Sequence, residues 1–143
     1  MKLFDDIRWI FFDLGSTLID ESAQMEQLIR DIRQAFLSFD LDYAPEQIRS
    51  TMVRAMMDYS PMLRTTIFSL ARSEEQLEAV SGRLRRDPSL ERLYPGTLEA
   101  LKELSGHYWL GVIANLTGHW KGKLGRLGLE GLCSLCRVSG EQG

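Results

Sequence analysis

The chain has 143 residues, of which 44% are hydrophobic and 26% are charged, and its formal net charge is -3. This length and composition predict one globular domain, or a small core with an inserted element, that can bury a hydrophobic core. The small negative charge, without a basic stripe, argues against nucleic acid as the main partner. The N-terminus becomes acidic at Asp5 and Asp6, unlike a signal peptide, and the apolar runs are too short to span a membrane. We therefore expect a cytoplasmic protein.

The first element in the chain is a predicted buried strand over residues 9–12, WIFF. Asp13 follows the strand at once, and a break of Gly, Ser and Thr comes at residues 15–17. A carboxylate at the carboxyl end of a buried strand lies where open α/β sheets bind their ligands. The turn is expected to offer backbone N–H groups and hydroxyls to an anion. The alternative is that Asp13 only caps a turn or a helix.

Several helices are predicted between this strand and residue 91. They cover residues 23–37, the segment from Pro45 to just before Pro61, residues 62–70, and a stretch that begins after Ser73. Apolar residues recur at the helical period in the first of them. Pro45 suits a first helical turn, and Ser73 with Gln76 forms a capping box.

The rest of the chain alternates helices with two further strands. After a turn at Pro95 and Gly96, we predict a helix over 97–104, a strand over 108–114, a helix over about 117–127 and a strand over 132–138. This order favours parallel strands joined by crossover helices. The sequence therefore predicts an α/β fold with a partial parallel sheet of about three strands and an inserted helical unit.

Three features together resemble the haloacid dehalogenase (HAD) superfamily, whose members are mostly phosphatases. Residues 9–18, WIFFDLGSTL, resemble its motif I, and the helices placed directly after the first strand resemble its C1-type cap. Tyr-Pro-Gly at 94–96, followed by an amphipathic helix and an apolar strand, resembles the return of the chain into the core. The resemblance implies an incomplete Rossmann-like core over residues 1–18 and 92–143 and a helical cap over 19–91.

The resemblance assigns chemistry to motif I, whose family pattern is D-x-D-x-T. It implies that Asp13 attacks phosphorus to form an aspartyl-phosphate and binds Mg²⁺, with the Gly15 backbone carbonyl as a second ligand. Gly15 stands where the family has its proton-transferring aspartate, so that role is vacant or filled by water. Ser16 and Thr17 are expected to contribute to phosphate binding. The Thr17 hydroxyl otherwise holds the loop or belongs to an ordinary threonine at a strand exit.

The second predicted strand ends without the hydroxyl that motif II of the superfamily provides. Ala114 occupies that position. Asn115, directly after it, and Thr117, near the start of a predicted helix, are the candidate donors to a phosphoryl oxygen. The loss of one preorganised donor typically costs about 3–4 kcal/mol of transition-state stabilisation.

The resemblance also implies a chain truncated at its C-terminus. Residues 139–143, SGEQG, fit the stretch that precedes a lysine-proline pair in the family, and neither that motif III lysine nor the motif IV acids follow. Lys121 or Lys123 could replace the lysine, or both are solvated helix residues. In the superfamily's sheet order the first strand would then be an exposed edge, from which we expect either self-association or marginal solubility.

The two cysteines, Cys133 and Cys136, have C-x-x-C spacing within the last predicted strand. One such pair is weak evidence for zinc, which usually takes four ligands. We interpret the pair as half-buried thiols.

Two functions remain open from the sequence. The first is a Mg²⁺-dependent phosphatase acting on a small phosphorylated metabolite, weak or inactive as the chain stands. The second is a non-catalytic HAD-like fragment that acts as a binding or interaction module. The cap would determine the substrate, but no cap residue identifies it.

Overall fold

The computed structural model of the chain describes residues 6–115 and 120–138. The chain divides into two compact units. One, here called the sheet unit, comprises Met1–Glu21 and Pro88–Gly143, and the other, the helical unit, comprises Ser22–Asp87. The chain thus leaves the sheet unit after Glu21 and returns to it at Pro88.

The helices and strands follow the predicted order, with two short additional strands. In chain order they are β1 (Trp9–Phe12), β2 (Ile19–Asp20), α1 (Ser22–Leu37), α2 (Pro45–Met57), α3 (Met62–Leu70), α4 (Glu74–Arg83), β3 (Arg92–Leu93), α5 (Thr97–Ser105), β4 (Trp109–Ala114), α6 (Trp120–Arg126) and β5 (Leu135–Val138). The additional strands, β2 and β3, pair antiparallel with Ile19 opposite Leu93. Two residues are too few to give a strand pattern in a sequence, so neither strand was predictable.

The sheet unit is built on a parallel sheet with the strand order β1-β4-β5. Phe12 pairs with Val112, and Val112 pairs in turn with Cys136. The predicted α/β class with about three parallel strands is therefore confirmed. The last strand is shorter than the predicted 132–138, because Gly131 has a φ of 84° and the chain is still turning at Leu132, whose N–H donates to Leu129.

One face of this sheet is packed and the other is open. The packed face belongs to a core of buried apolar residues: Leu14, Leu18, Ile19, Leu101, Tyr108, Leu110, Val112, Ala114, Leu124 and Leu129. On the other face, Trp9 and Phe11 are 40% and 46% exposed, and the Trp9 ring stacks on Trp109 with centroids 5.7 Å apart. The prediction of a fully buried first strand is wrong, because side chains alternate along a strand and one face of this sheet is exposed.

The helical unit has its own apolar core. Its buried members are Leu28, Ile29, Ile32, Ala35, Phe36, Leu41, Ile48, Met52, Ile67, Leu70, Val80 and Leu84. The predicted cap of α4 is confirmed, since the Ser73 hydroxyl accepts from the Gln76 N–H at 3.2 Å. The Gln76 side chain reaches back one residue further than a capping box requires and accepts from the Arg72 N–H. None of the helices within residues 6–115 and 120–138 combines the length and apolarity needed to cross a bilayer.

Candidate functional site

Asp13 lies directly after β1 and is exposed. Its carboxylate makes no hydrogen bond or ion pair with any residue that the structure describes. Because β1 and β4 are parallel neighbours, Asn115, which directly follows β4 and is also exposed, belongs to the same edge of the sheet. A carboxylate and an amide are thus presented at the carboxyl ends of adjacent strands, where α/β proteins bind ligands.

The loop after Asp13 closes on itself through one carbonyl group. The Leu14 oxygen accepts the N–H groups of Thr17 at 3.3 Å and of Leu18 and Ile19 at 3.0 Å. The Ser16 N–H donates to the Ile19 oxygen at 3.0 Å. The expectation that this turn offers its backbone N–H groups to an anion is therefore wrong for Ser16 and Thr17, because both groups are satisfied within the loop.

The hydroxyls of Ser16 and Thr17 remain as possible donors from this loop. Both residues are exposed, and within the described part of the chain neither hydroxyl has a hydrogen-bond partner. Ser16 has a φ of 56°, in the left-handed region that non-glycine residues rarely occupy. Residues held in this region often lie at functional sites, where the surrounding structure compensates for the strain.

Two oxygen atoms of this loop suit a hard divalent cation. They are a carboxylate oxygen of Asp13 and the Gly15 carbonyl oxygen, which accepts no hydrogen bond from the described residues. Magnesium is usually bound by one or two carboxylates, with waters and substrate phosphate completing its ligands. No group of three or more His, Cys, Asp or Glu side chains converges among the described residues. The donors present fit Mg²⁺, with the protein supplying few of its ligands.

The end of β4 carries one of the two predicted donors. Ala114 is 5% exposed and faces the core, while Asn115 is exposed. Thr117, the other predicted donor, lies outside the described residues.

Lys123 is not a solvated helix residue, which was one of the two alternatives for it. Its side chain is only 12% exposed, and its Nζ lies 3.1 Å from a carboxylate oxygen of Glu91 and 3.9 Å from one of Glu21. Sequence reasoning missed both glutamates, because neither belongs to a motif and each is distant from Lys123 along the chain.

The two cysteines are half-buried thiols that are not joined in a disulfide, which confirms their interpretation from the sequence. Burial raises the pKa of the Cys133 thiol, and the nearby Cys136 raises it further. A raised pKa lowers the thiolate fraction at neutral pH, and the thiolate is the reactive form. Cys133 is therefore unsuited to act as a nucleophile.

No protein-family model and no curated protein matches the chain. Solved structures do match it. A HAD-superfamily hydrolase from Geobacter sulfurreducens is 17% identical, with a TM-score of 0.67 over 94% of this chain. A haloacid dehalogenase-like hydrolase from Streptococcus pneumoniae is 21% identical, with a TM-score of 0.62 over 93%. The HAD-type protein YfnB from Bacillus subtilis, solved bound to magnesium, is 19% identical, with a TM-score of 0.61 over 96%.

The chain has the haloacid dehalogenase fold. Its likeness to these HAD structures covers nearly all of its own length. It spans 63%, 61% and 65% of the three longer chains in turn. In this HAD-type fold, Asp13 and Asn115 follow adjacent parallel strands.

Proposed function

We propose that this chain has the activity of a HAD-type phosphatase that hydrolyses a small phosphorylated metabolite in the cytoplasm. The observation that carries the proposal is the Asp13 carboxylate, exposed directly after β1 and without a partner among the described residues. A carboxylate that is neither paired nor capping a turn is available as a nucleophile. The alternative of a purely local capping role for Asp13 is disfavoured by the same observation.

In the proposed reaction a carboxylate oxygen of Asp13 bonds to the phosphorus of the ester. The bond from phosphorus to the leaving oxygen breaks, and the leaving group takes a proton or departs as an anion. Water then hydrolyses the aspartyl-phosphate and releases inorganic phosphate. The hydroxyls of Ser16 and Thr17 and the amide of Asn115 would bind the phosphoryl oxygens, and Thr117 is the remaining candidate for this role.

We propose that Mg²⁺ is held by the Asp13 carboxylate and the Gly15 carbonyl. The bound ion would offset the repulsion between the Asp13 carboxylate and the phosphate and would polarise the phosphoryl group. The oxygen donors at both residues, which have no hydrogen-bond partner in the described part of the chain, support this assignment, as does the magnesium bound to YfnB.

Two positions lead us to expect weak turnover. Gly15 has no side chain that could give a proton to the leaving group, a contribution typically worth about 100-fold to 10,000-fold. Ala114 has no hydroxyl for the phosphoryl oxygen. We therefore expect aryl phosphates, whose leaving groups need no proton, to be hydrolysed faster than alkyl phosphates.

The test is hydrolysis of p-nitrophenyl phosphate with and without Mg²⁺, in wild type and in Asp13→Asn. We expect slow Mg²⁺-dependent release of nitrophenolate that Asp13→Asn abolishes. Asp6→Asn is the matched control, since Asp6 is an exposed aspartate of the same unit and is expected to leave the rate unchanged.

The opposite outcome is a wild type that releases no nitrophenolate at any Mg²⁺ concentration. Equal rates in wild type and Asp13→Asn would also contradict the proposal. Either result would favour the second function, a non-catalytic HAD-like module that retains the loop and the helical unit for binding.

A further inference from the structure

The carboxylate of Glu21 lies over Gly15, in the loop that carries Asp13. A β-carbon built on Gly15 would lie 2.8 Å from Glu21 Oε2, 3.4 Å from Cδ and 3.6 Å from Oε1. The whole carboxylate of Glu21 therefore occupies the space into which a side chain at position 15 would project. Glycine at this position leaves room for a carboxylate that arrives from the end of β2.

A network of ion pairs reaches Glu21 from α6. Lys123 Nζ lies 3.9 Å from Glu21 Oε1 and 3.1 Å from Glu91 Oε1. The other oxygen of Glu91 lies 2.8 Å from Arg126 Nη2. The side chains of Glu91 and Lys123 are 7% and 12% exposed, so solvent screens this pair less than a surface pair. The network holds the Lys123 ammonium beside one oxygen of Glu21, while the other oxygen, Oε2, faces Gly15.

We infer that Glu21 is the general base of the second step proposed above, an inference that rests on the proposed function of Asp13. In that step a water oxygen bonds to the phosphorus of the aspartyl-phosphate, and the bond from phosphorus to the Asp13 oxygen breaks. The proton that leaves the water passes to the Glu21 carboxylate. The electron pair of the broken bond returns to Asp13, which regains its carboxylate as inorganic phosphate departs.

Three observations suit Glu21 to this role. It is a carboxylate, whereas Gly15 has no group that accepts a proton. It lies over the loop that follows Asp13, and a general base acts directly or through one water. Its side chain is 25% exposed, which gives the attacking water access while the Lys123 contact limits its motion.

Glu21→Gln separates the two steps when p-nitrophenyl phosphate is the substrate. Nitrophenolate leaves without a proton, so the first turnover should proceed, whereas loss of the base should slow the second step by about 100-fold to 10,000-fold. We expect a burst of nitrophenolate equal to the enzyme concentration, followed by a slow steady rate. Phosphorylated Asp13 should then accumulate and be detected by intact-mass and peptide mass spectrometry. A purely structural role would lower both phases without a burst.

A relocated carboxylate provides the rescue experiment. In the double variant Gly15→Asp with Glu21→Ala, an aspartate enters the space that Glu21 has left. We expect this variant to recover part of the steady rate and to lose the burst. Gly15→Asp alone should not recover the steady rate, because the new side chain collides with Glu21. Arg126→Gln is the matched control, because Arg126 contacts Glu91 and its loss should loosen the network without producing a burst.

The outcomes distinguish this inference from the proposed function. If Glu21→Gln turns over at the wild-type rate without a burst while Asp13→Asn is inactive, the role of Glu21 is wrong and the phosphatase function stands. If neither wild type nor Glu21→Gln releases nitrophenolate or forms a phosphoenzyme, the phosphatase function fails, and the role of Glu21 fails with it.

Discussion

The Phe11 ring lies against the backbone of Gly111, its partner across the β1–β4 pair. A β-carbon on Gly111 would lie 2.5 Å from two ring carbons of Phe11 and 3.4 Å from the Leu135 carbonyl oxygen. The glycine thus lets an aromatic side chain lie flat over the central strand of the sheet.

We expect Gly111→Ala to lower the free energy of unfolding by about 1–3 kcal/mol, because the added methyl group forces the Phe11 ring away. Urea denaturation followed by circular dichroism measures the change. In a chain that already carries Phe11→Ala, Gly111→Ala should lower the free energy of unfolding by less, because the ring that collides with the new methyl group is gone. Gly82→Ala in α4 is the control: no described residue lies within 4 Å of a β-carbon at this position, so it should raise stability. Equal effects of Gly111→Ala and Gly82→Ala on the free energy of unfolding would contradict the contact between the Phe11 ring and Gly111.

Ser16→Gly should separate the backbone strain of the loop from the chemistry of its hydroxyl. Glycine adopts the φ of 56° without steric cost, so we expect unchanged or slightly raised thermal stability. The loss of the hydroxyl should weaken the binding of inorganic phosphate or vanadate, measured by calorimetry in the presence of Mg²⁺. Unchanged anion affinity would remove Ser16 from the proposed site.

Thr66→Val should stabilise the helical unit. Thr66 is fully buried, and its hydroxyl has no partner within the described residues. A buried unsatisfied hydroxyl costs about 1–3 kcal/mol, so we expect a gain of about 1 kcal/mol in the free energy of unfolding. Thr51→Val is the control, because the Thr51 hydroxyl is bonded to the Gln47 carbonyl and exposed. A loss of stability in Thr66→Val would indicate a hidden partner for the hydroxyl.

We propose that the chain self-associates through β1, which occupies an edge of the three-stranded sheet. Its sequence, WIFF, has no charge or proline that would discourage pairing with another strand, and two of its side chains are exposed. Light scattering should show an average mass that grows with protein concentration, and Trp9→Lys should lower that mass. Phe68→Lys, at an exposed aromatic of α3, is the matched control. A monodisperse monomer at high concentration would contradict the proposal.

The Cys133 thiol should respond to alkaline pH. Its pKa is raised by burial and then by Cys136, so the folded state holds the thiol proton more tightly than the unfolded state. This contribution to stability is present below the ordinary pKa of a free thiol and is lost as the pH rises through the raised value. We expect Cys133→Ser to flatten the alkaline decline of the melting temperature. In wild type, alkylation of Cys133 near neutral pH should be slower than that of glutathione.

The sequence by itself determined the helices and the location of the nucleophile candidate. Pro45 begins α2 and the Ser73 hydroxyl caps α4, because both signals act within one helical turn. The position of Asp13 follows from the apolar run before it, and the alternation of helices and strands predicts the parallel sheet. These features depend on neighbours along the chain, which the sequence displays directly.

Only the tertiary structure decided what lies against the loop that follows Asp13. The Glu21 carboxylate lies over Gly15, and Lys123 pairs with Glu91, 32 residues away in the chain. Neither contact leaves a periodic or motif signal, since each depends on where β2, β3 and α6 meet in space. The N–H groups of Ser16 and Thr17 are likewise taken by the closure of their own loop. Packing thus determines which groups of the motif are free to act, because it satisfies some donors and exposes others.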